Sequence, residues 1–209
     1  MKTKGIFITF EGPEGSGKST LIKAAARFLR KKGFAVLLLR EPGGTAISEA
    51  IRQILLDRKN LRMTVEAELF LYLAARAQIV REKIFPAFRA GKVVICDRYH
   101  DSTVAYQGFA GGIPIGLIDG LGKMAKSGLE PDLTFLLDVE TKTGLKRAGR
   151  TDRMEKKSLD FHRRVRKGFL ALAKKYPRRI IVLKDEKDIR EKVAKLEEML
   201  SRLFLGVAR

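Results

Sequence analysis

The sequence is short of acids, thiols and long apolar runs. It has one cysteine, Cys96, in 209 residues. That excludes a disulfide-stapled secreted scaffold and makes a reducing cytoplasm the expected compartment. No apolar run approaches the roughly 18 residues that a membrane helix needs. The stretch Ile6–Phe10 is too short for a signal-peptide core and is followed by glycines rather than a cleavage site. Against 43 Lys and Arg stand only 24 Asp and Glu, a formal net charge of +19. Such a surface attracts anions, whether nucleic acid, acidic membrane or phosphorylated small molecules. A Lys/Arg-rich surface can equally reflect growth temperature. No repeat or low-complexity linker divides the chain, so a single domain over residues 1–209 is expected.

What is present is an alternation of two patterns. Gly5–Phe10, Phe34–Leu39, Val93–Cys96, Leu133–Leu137 and Ile180–Leu183 are short, continuous apolar runs rich in β-branched and aromatic residues. They read as strands buried on both faces. Between them lie helical spacings. Leu21, Ala25, Phe28 and Leu29 precede Gly33, a natural stop. Leu69, Leu73, Val80 and Ile84 mark a longer helix. It opens near Thr64 with Glu66 and Glu68 at its positive end, and is stopped or kinked at Pro86. Phe161, Val165, Phe169, Leu172 and Ala173 mark a third. Ile189, Val193, Leu196, Leu200 and Leu203 mark the last, capped by Asp185 or Asp188. The pattern predicts a doubly wound α/β fold with a mainly parallel, five-stranded sheet, whose ligands bind beyond the carboxyl ends of the strands.

The strongest motif is Glu11-Gly12-Pro13-Glu14-Gly15-Ser16-Gly17-Lys18-Ser19-Thr20. From Gly12 to Ser19 it fits the phosphate-loop pattern G-x-x-x-x-G-K-[ST], between a strand and a helix. The glycines let backbone N–H groups turn inward around phosphate oxygens, and the helix N-terminus adds positive character. Lys18 neutralises the β/γ-phosphates of ATP, and the Ser19 hydroxyl is placed to ligate Mg²⁺. Gly12 to Thr20 is therefore the expected ATP-binding set. Asp97, ending an apolar strand, is the expected carboxylate partner of the metal. Arg98 follows, where a hydrolytic motor would carry a glutamate. An arginine there suits gripping a second phosphate. The alternative is a local Asp97–Arg98 ion pair. Asp138, ending Leu133–Leu137, is a rival strand-end acid whose capping or hydrogen-bonding role is at least as good a reading.

Further motifs occur in order. Leu39-Arg40-Glu41-Pro42-Gly43-Gly44-Thr45 follows the second strand. Asp97-Arg98-Tyr99 is followed by Ser102-Thr103 and Ala105-Tyr106-Gln107-Gly108. Pro131-Asp132-Leu133 opens the fourth strand and runs to Asp138-Val139. With the phosphate loop, this set closely resembles the thymidylate kinases of the nucleoside monophosphate kinase family, over nearly the whole chain. The resemblance implies transfer of phosphate from ATP-Mg²⁺ to dTMP, giving dTDP for dTTP synthesis, in a homodimer. Apolar residues around Leu69–Ile84 are candidates for the dimer contact. It implies that Glu14 faces the sugar 3′-hydroxyl and that Arg98 clamps the dTMP phosphate, with Arg52 nearby. It implies that Tyr72 stacks on thymine and that Arg76 bonds the base edge. One helical turn apart, these two share a face. Thr103 and Gln107 resemble base- or phosphate-side contacts. Tyr106 resembles the ring that crowds the 2′ position.

Arg147, Arg150 and Arg153 lie in a basic segment containing Gly149. A lid over about 147–155 is expected, because phosphoryl transfer needs positive charge over the moving group and exclusion of water. Gly15 stands where one branch of the family carries an arginine in the phosphate loop. The resemblance therefore implies that the catalytic arginine comes from the lid, Arg153 first and Arg150 second. The alternatives are another nucleoside monophosphate kinase, or a nucleic-acid-associated P-loop NTPase. Nucleic acid is not the expected partner. The basic pairs of the third helix read as a solvated face, without a repeated pattern of exposed aromatics.

Overall fold

The computed structural model describes residues 5–149, 152–185 and 188–205. Its five strands are β1 (Phe7–Glu11), β2 (Val36–Arg40), β3 (Val93–Asp97), β4 (Leu133–Leu137) and β5 (Ile180–Leu183). They form one sheet in the order β2-β3-β1-β4-β5, and every pairing is parallel. The chain runs from the central β1 out to β2, returns to β3 beside β1, and then crosses to β4 on the other side. The point where the winding reverses is the carboxyl end of β1, where a doubly wound sheet opens its crevice.

The helices are α1 (Lys18–Lys31), α2 (Ala46–Leu56), α3 (Val65–Ile79), α4 (Phe85–Arg89), α5 (His100–Thr103), α6 (Ile115–Ala125), α7 (Thr141–Ala148), α8 (Leu159–Lys175) and α9 (Ile189–Leu205). Wider π-helical turns occupy Val80–Ile84 and Val104–Ala110. Strand side chains alternate between the two layers. Ile8, Phe10, Ile95 and Phe135 pack with Leu21, Ala25 and Leu29 of α1 and with Leu196 and Leu200 of α9. On the other face Phe7, Val94 and Cys96 pack with Val80, Ile84, Ala87 and Tyr99. Leu136 and Ile180 pack there with Leu69, Ile118, Val165 and Phe169. Both faces of the central strands are thus covered, and Cys96 is fully buried as a free thiol.

Several expectations need correction. β2 is an edge strand, so it is only partly covered; Leu38 is 37% exposed. The long helix ends at Ile79, and the chain continues through the π-turn into α4, where Pro86 sits in the first turn and needs no N–H donor. Leu69, Leu73, Val80 and Ile84 all lie in the core, which removes them as dimer contacts. Thr64 caps α3 and Glu66 and Glu68 lie in its first turn as expected, with Glu68 fully buried. Asp188 caps α9 by accepting from the Arg190 N–H at 2.8 Å, while Asp185 pairs with Arg147 and Lys192.

Candidate active site

The phosphate loop joins β1 to α1 through glycines at positive φ: Gly12 at 142°, Gly15 at 64° and Gly17 at 89°. Such angles are cheap only for glycine. A Cβ on Gly15 would lie 2.0 Å from the Gly144 carbonyl oxygen and 3.0 Å from Arg147 Cβ. The loop is therefore pressed against α7, the root of the expected lid. Lys18 Nζ donates to the carbonyls of Gly12 (3.1 Å) and Pro13 (2.9 Å) and approaches Ser16 Oγ at 3.3 Å. Burial, with the charge of Arg98 adding, brings the Lys18 ammonium down to about 8.

Two strand-end acids organise the floor. Glu11 accepts from the Tyr99 N–H at 2.7 Å and from Ser102 Oγ at 2.5 Å. It thereby holds the turn that carries Arg98. Burial and the neighbouring Asp101 raise the Glu11 carboxyl to about 8. Asp97 ends β3 opposite Phe10 of β1. Its Oδ1 is buried without a hydrogen-bond partner, and no Asp97–Arg98 ion pair occurs among the described residues. Asp138 is occupied instead by a two-pronged pair with Arg166, at 2.6 and 2.9 Å. The donor set of Asp97 and Ser19, which lies exposed in the first turn of α1, fits a hard cation held between carboxylate, hydroxyl and phosphate oxygens.

Arg98 takes a left-handed backbone, φ 67°, which aims its side chain across the cavity mouth. Its Nη1 donates to the Gly12 carbonyl (3.0 Å) and to Ser102 Oγ (3.2 Å), and Nη2 lies 3.6 Å from Glu14 Oε1. The guanidinium also stands 5.2 Å from the centre of the Tyr106 ring. The Tyr106 hydroxyl donates to Glu14 Oε1, and His162 Nδ1 lies 3.2 Å from Glu14 Oε2. Burial alone would raise the Glu14 carboxyl. His162, Arg98 and Tyr106 outweigh it and hold Glu14 down at about 2. Glu14 is thus a fixed anion beside a fixed cation.

The far wall is built by α3 and the second π-turn. Arg76 is fully buried. Its Nε and Nη2 both lie 2.7 Å from Glu41 Oε2, and Nη1 donates to Thr103 Oγ1 at 3.0 Å. Arg52 Nη1 donates to the Pro42 carbonyl at 2.9 Å. Glu14, Gly15, Lys18, Arg52, Tyr72, Arg76, Asp97, Arg98, Thr103, Tyr106 and Gln107 all line one cavity of about 250 Å³. The cavity therefore joins a phosphate loop, a second cationic clamp and a wall with one partly exposed aromatic ring, the arrangement a phosphate acceptor requires.

A model of the thymidylate kinase family matches residues 10–196. The chain belongs to the thymidylate kinase family. It is 46% identical over 212 residues to the thymidylate kinase of Geotalea uraniireducens (strain Rf4), covering 97% of this chain and all of that one. It is 47% identical over 193 residues to that of Geobacillus sp. (strain WCH70), covering 90% and 92%. A crystal structure of thymidylate kinase from Ehrlichia chaffeensis superposes with a TM-score of 0.77 at 34% identity, covering 96% of this chain and 98% of that one.

Within this family fold, Arg153 departs from expectation. It is buried, donates from Nε to the Leu55 carbonyl at 2.7 Å and places Nη2 2.6 Å from Glu68 Oε2. It does not line the cavity, whereas its neighbours Asp152, Met154 and Glu155 do. Its guanidinium is held between α2 and α3. Arg150 lies outside the described residues. Arg147, at the end of α7, pairs with Asp185 at 2.9 Å. The sequence pattern points to no site role for Glu11, Glu41, Glu68 or His162. Glu11 carried a signal, as an acid ending a strand next to the phosphate loop. His162 carried another, as one of two histidines in the chain, set among the apolar positions of α8.

Proposed function

We propose that this chain is an ATP:dTMP phosphotransferase, moving the γ-phosphoryl group of ATP onto the 5′-phosphate of dTMP to give dTDP and ADP. The observation that carries this reading is the single cavity lined by both Lys18 and Arg98, with Tyr72 and Arg76 on its far wall. Lys18 and the backbone N–H groups of the phosphate loop hold the donor phosphates. Arg98 holds the acceptor phosphate, and Arg52 adds charge beside it. Tyr72 stacks on the base, Arg76 and Thr103 meet its edge, and Tyr106 fills the space beside the 2′ carbon. Glu14 accepts from the 3′-hydroxyl. No side chain has to act as a nucleophile, because alignment and charge stabilisation suffice for in-line transfer. Ser19 and Asp97 would hold Mg²⁺, and the metal supplies neutralisation of phosphate charge when bound.

The lid segment supplies the remaining positive charge through Arg150, with Arg153 anchoring the segment from behind. The chain works as a homodimer in the cytoplasm. Ile47, Ala50 and Ile54 on α2 and Ala67, Phe70 and Ala74 on α3 form exposed, uncharged stripes on an otherwise highly charged protein, and support that assembly. No helix among the described residues is long and apolar enough to cross a membrane. The deciding experiment is a coupled ADP-release assay with dTMP, dUMP, UMP, AMP and DNA as separate acceptors or effectors. dTMP should give the highest kcat/KM. A higher value with UMP or AMP makes the chain a different monophosphate kinase, and stimulation by DNA alone makes it a nucleic-acid-associated NTPase.

A further inference from the structure

Beneath the far wall lies a carboxylate that the transfer itself does not use. Glu68, on α3, is fully buried. Its Oε1 accepts from Gln107 Nε2 at 2.7 Å, and its Oε2 is 2.6 Å from Arg153 Nη2. Lys157 Nζ approaches the same oxygen at 3.5 Å. A carboxylate facing two cations offers only lone pairs. The Gln107 amide must therefore turn its nitrogen towards Glu68, since the opposite flip would set oxygen against oxygen. The amide oxygen then turns away from Glu68 and, among the described residues, has no hydrogen-bond partner beside the cavity Gln107 lines.

We infer that Glu68 is a positioning residue that fixes the acceptor face of Gln107 and so selects pyrimidines with a ring N–H beside a carbonyl. The inference rests on the dTMP reading and deepens it. The wall carries an acceptor, Gln107 Oε1, and a donor fork, Arg76, beside the Thr103 hydroxyl. A 2,4-dioxopyrimidine presents the complement: the N3 hydrogen donates and the 4-oxygen accepts. A 4-aminopyrimidine presents the reverse, with a lone pair on N3 and a donating amine. To receive it Gln107 would have to flip, and Glu68 forbids the flip. Sites built around a required hydrogen bond discriminate far better than apolar pockets of the same shape. Because Arg153 shares the same carboxylate, the group that orients the base reader also ties down the segment entering the lid.

The test is Glu68→Gln, with kcat/KM measured for dTMP and dCMP and folding checked by thermal melting. A glutamine at this position can donate as well as accept, so Gln107 becomes free to flip. The dTMP/dCMP ratio should fall by at least about tenfold relative to wild type. A purely structural Glu68 would lower melting temperature and both kcat/KM values without moving the ratio. A folded variant with an unchanged ratio overturns this inference and leaves the dTMP reading intact. A wild type that does not turn over dTMP overturns both. Should the variant not fold, the wild type answers by NMR. The Gln107 side-chain amide protons should be protected from solvent exchange with and without dTMP, and rapid exchange in the free protein overturns the inference.

Discussion

Arg98 is a partly buried cation beside the phosphate loop and Arg153 a buried one between α2 and α3, so they face different things. Arg98 opens on the cavity and holds a left-handed backbone to do so. If it holds the acceptor phosphate as proposed, its removal should raise the dTMP KM and lower kcat together. Arg153 compensates Glu68. Arg153→Ala should cost about 3 kcal/mol of stability, read by denaturant unfolding, and lower kcat far less than Arg98→Ala does. Equal losses of kcat would return Arg153 to a direct role over the phosphate. Lys18 gives a pH prediction. In the proposed role its protonated form binds phosphate, and burial brings its pKa to about 8, so kcat/KM for ATP should decline as pH rises through about 8. Glu11 titrates in the same range. The decline should persist in Glu11→Gln; its disappearance there would assign it to Glu11.

At the level of elements, glycine decides what fits. Gly122 of α6 lies under the His100 ring: a Cβ there would come within 2.2 Å of His100 Cε1. Gly122→Ala gains helix propensity yet should destabilise by about 1–2 kcal/mol, measured by urea unfolding, because overpacking outweighs the propensity gain. The same helix shows where sequence reading stopped. Gly116, Gly120 and Gly122 dilute its apolar pattern, so α6 is not visible as a helix without its partner. The five strands were legible because each is a dense apolar run with no competing period. The phosphate loop, Asp97 and Arg98 were legible because each sits at a strand end where its chemistry has a fixed spacing. Glu68 and Arg153 were not, since a charge in sequence reads as solvated, and only the tertiary contact from α3 to residues 152–157 shows them facing each other. The resemblance to a known family supplied Tyr72, Arg76 and Gln107, which periodicity alone leaves as core or surface.

For the whole molecule, assembly and opening can both be measured. Phe70 is 59% exposed on the uncharged stripe of α3. Phe70→Glu should convert the proposed dimer to monomer at micromolar concentration, by sedimentation velocity, without loss of melting cooperativity. A wild type that is already monomeric would remove the stripe as an interface. Opening can be timed with the protein as it stands. Cys96 is the only thiol in the sequence, and it sits in β3 between β2 and β1. Burial raises its pKa well above the ordinary thiol range, so the native protein should ignore a thiol reagent. Modification then requires the layer of Val80, Ile84 and Ala87 to lift from the sheet, and its rate becomes a stopwatch for that opening. That rate should rise with denaturant in parallel with global unfolding and slow when nucleotides bind. It also makes the unaltered chain a quiet background, in which one cysteine added at the surface would be the sole site to carry a fluorophore.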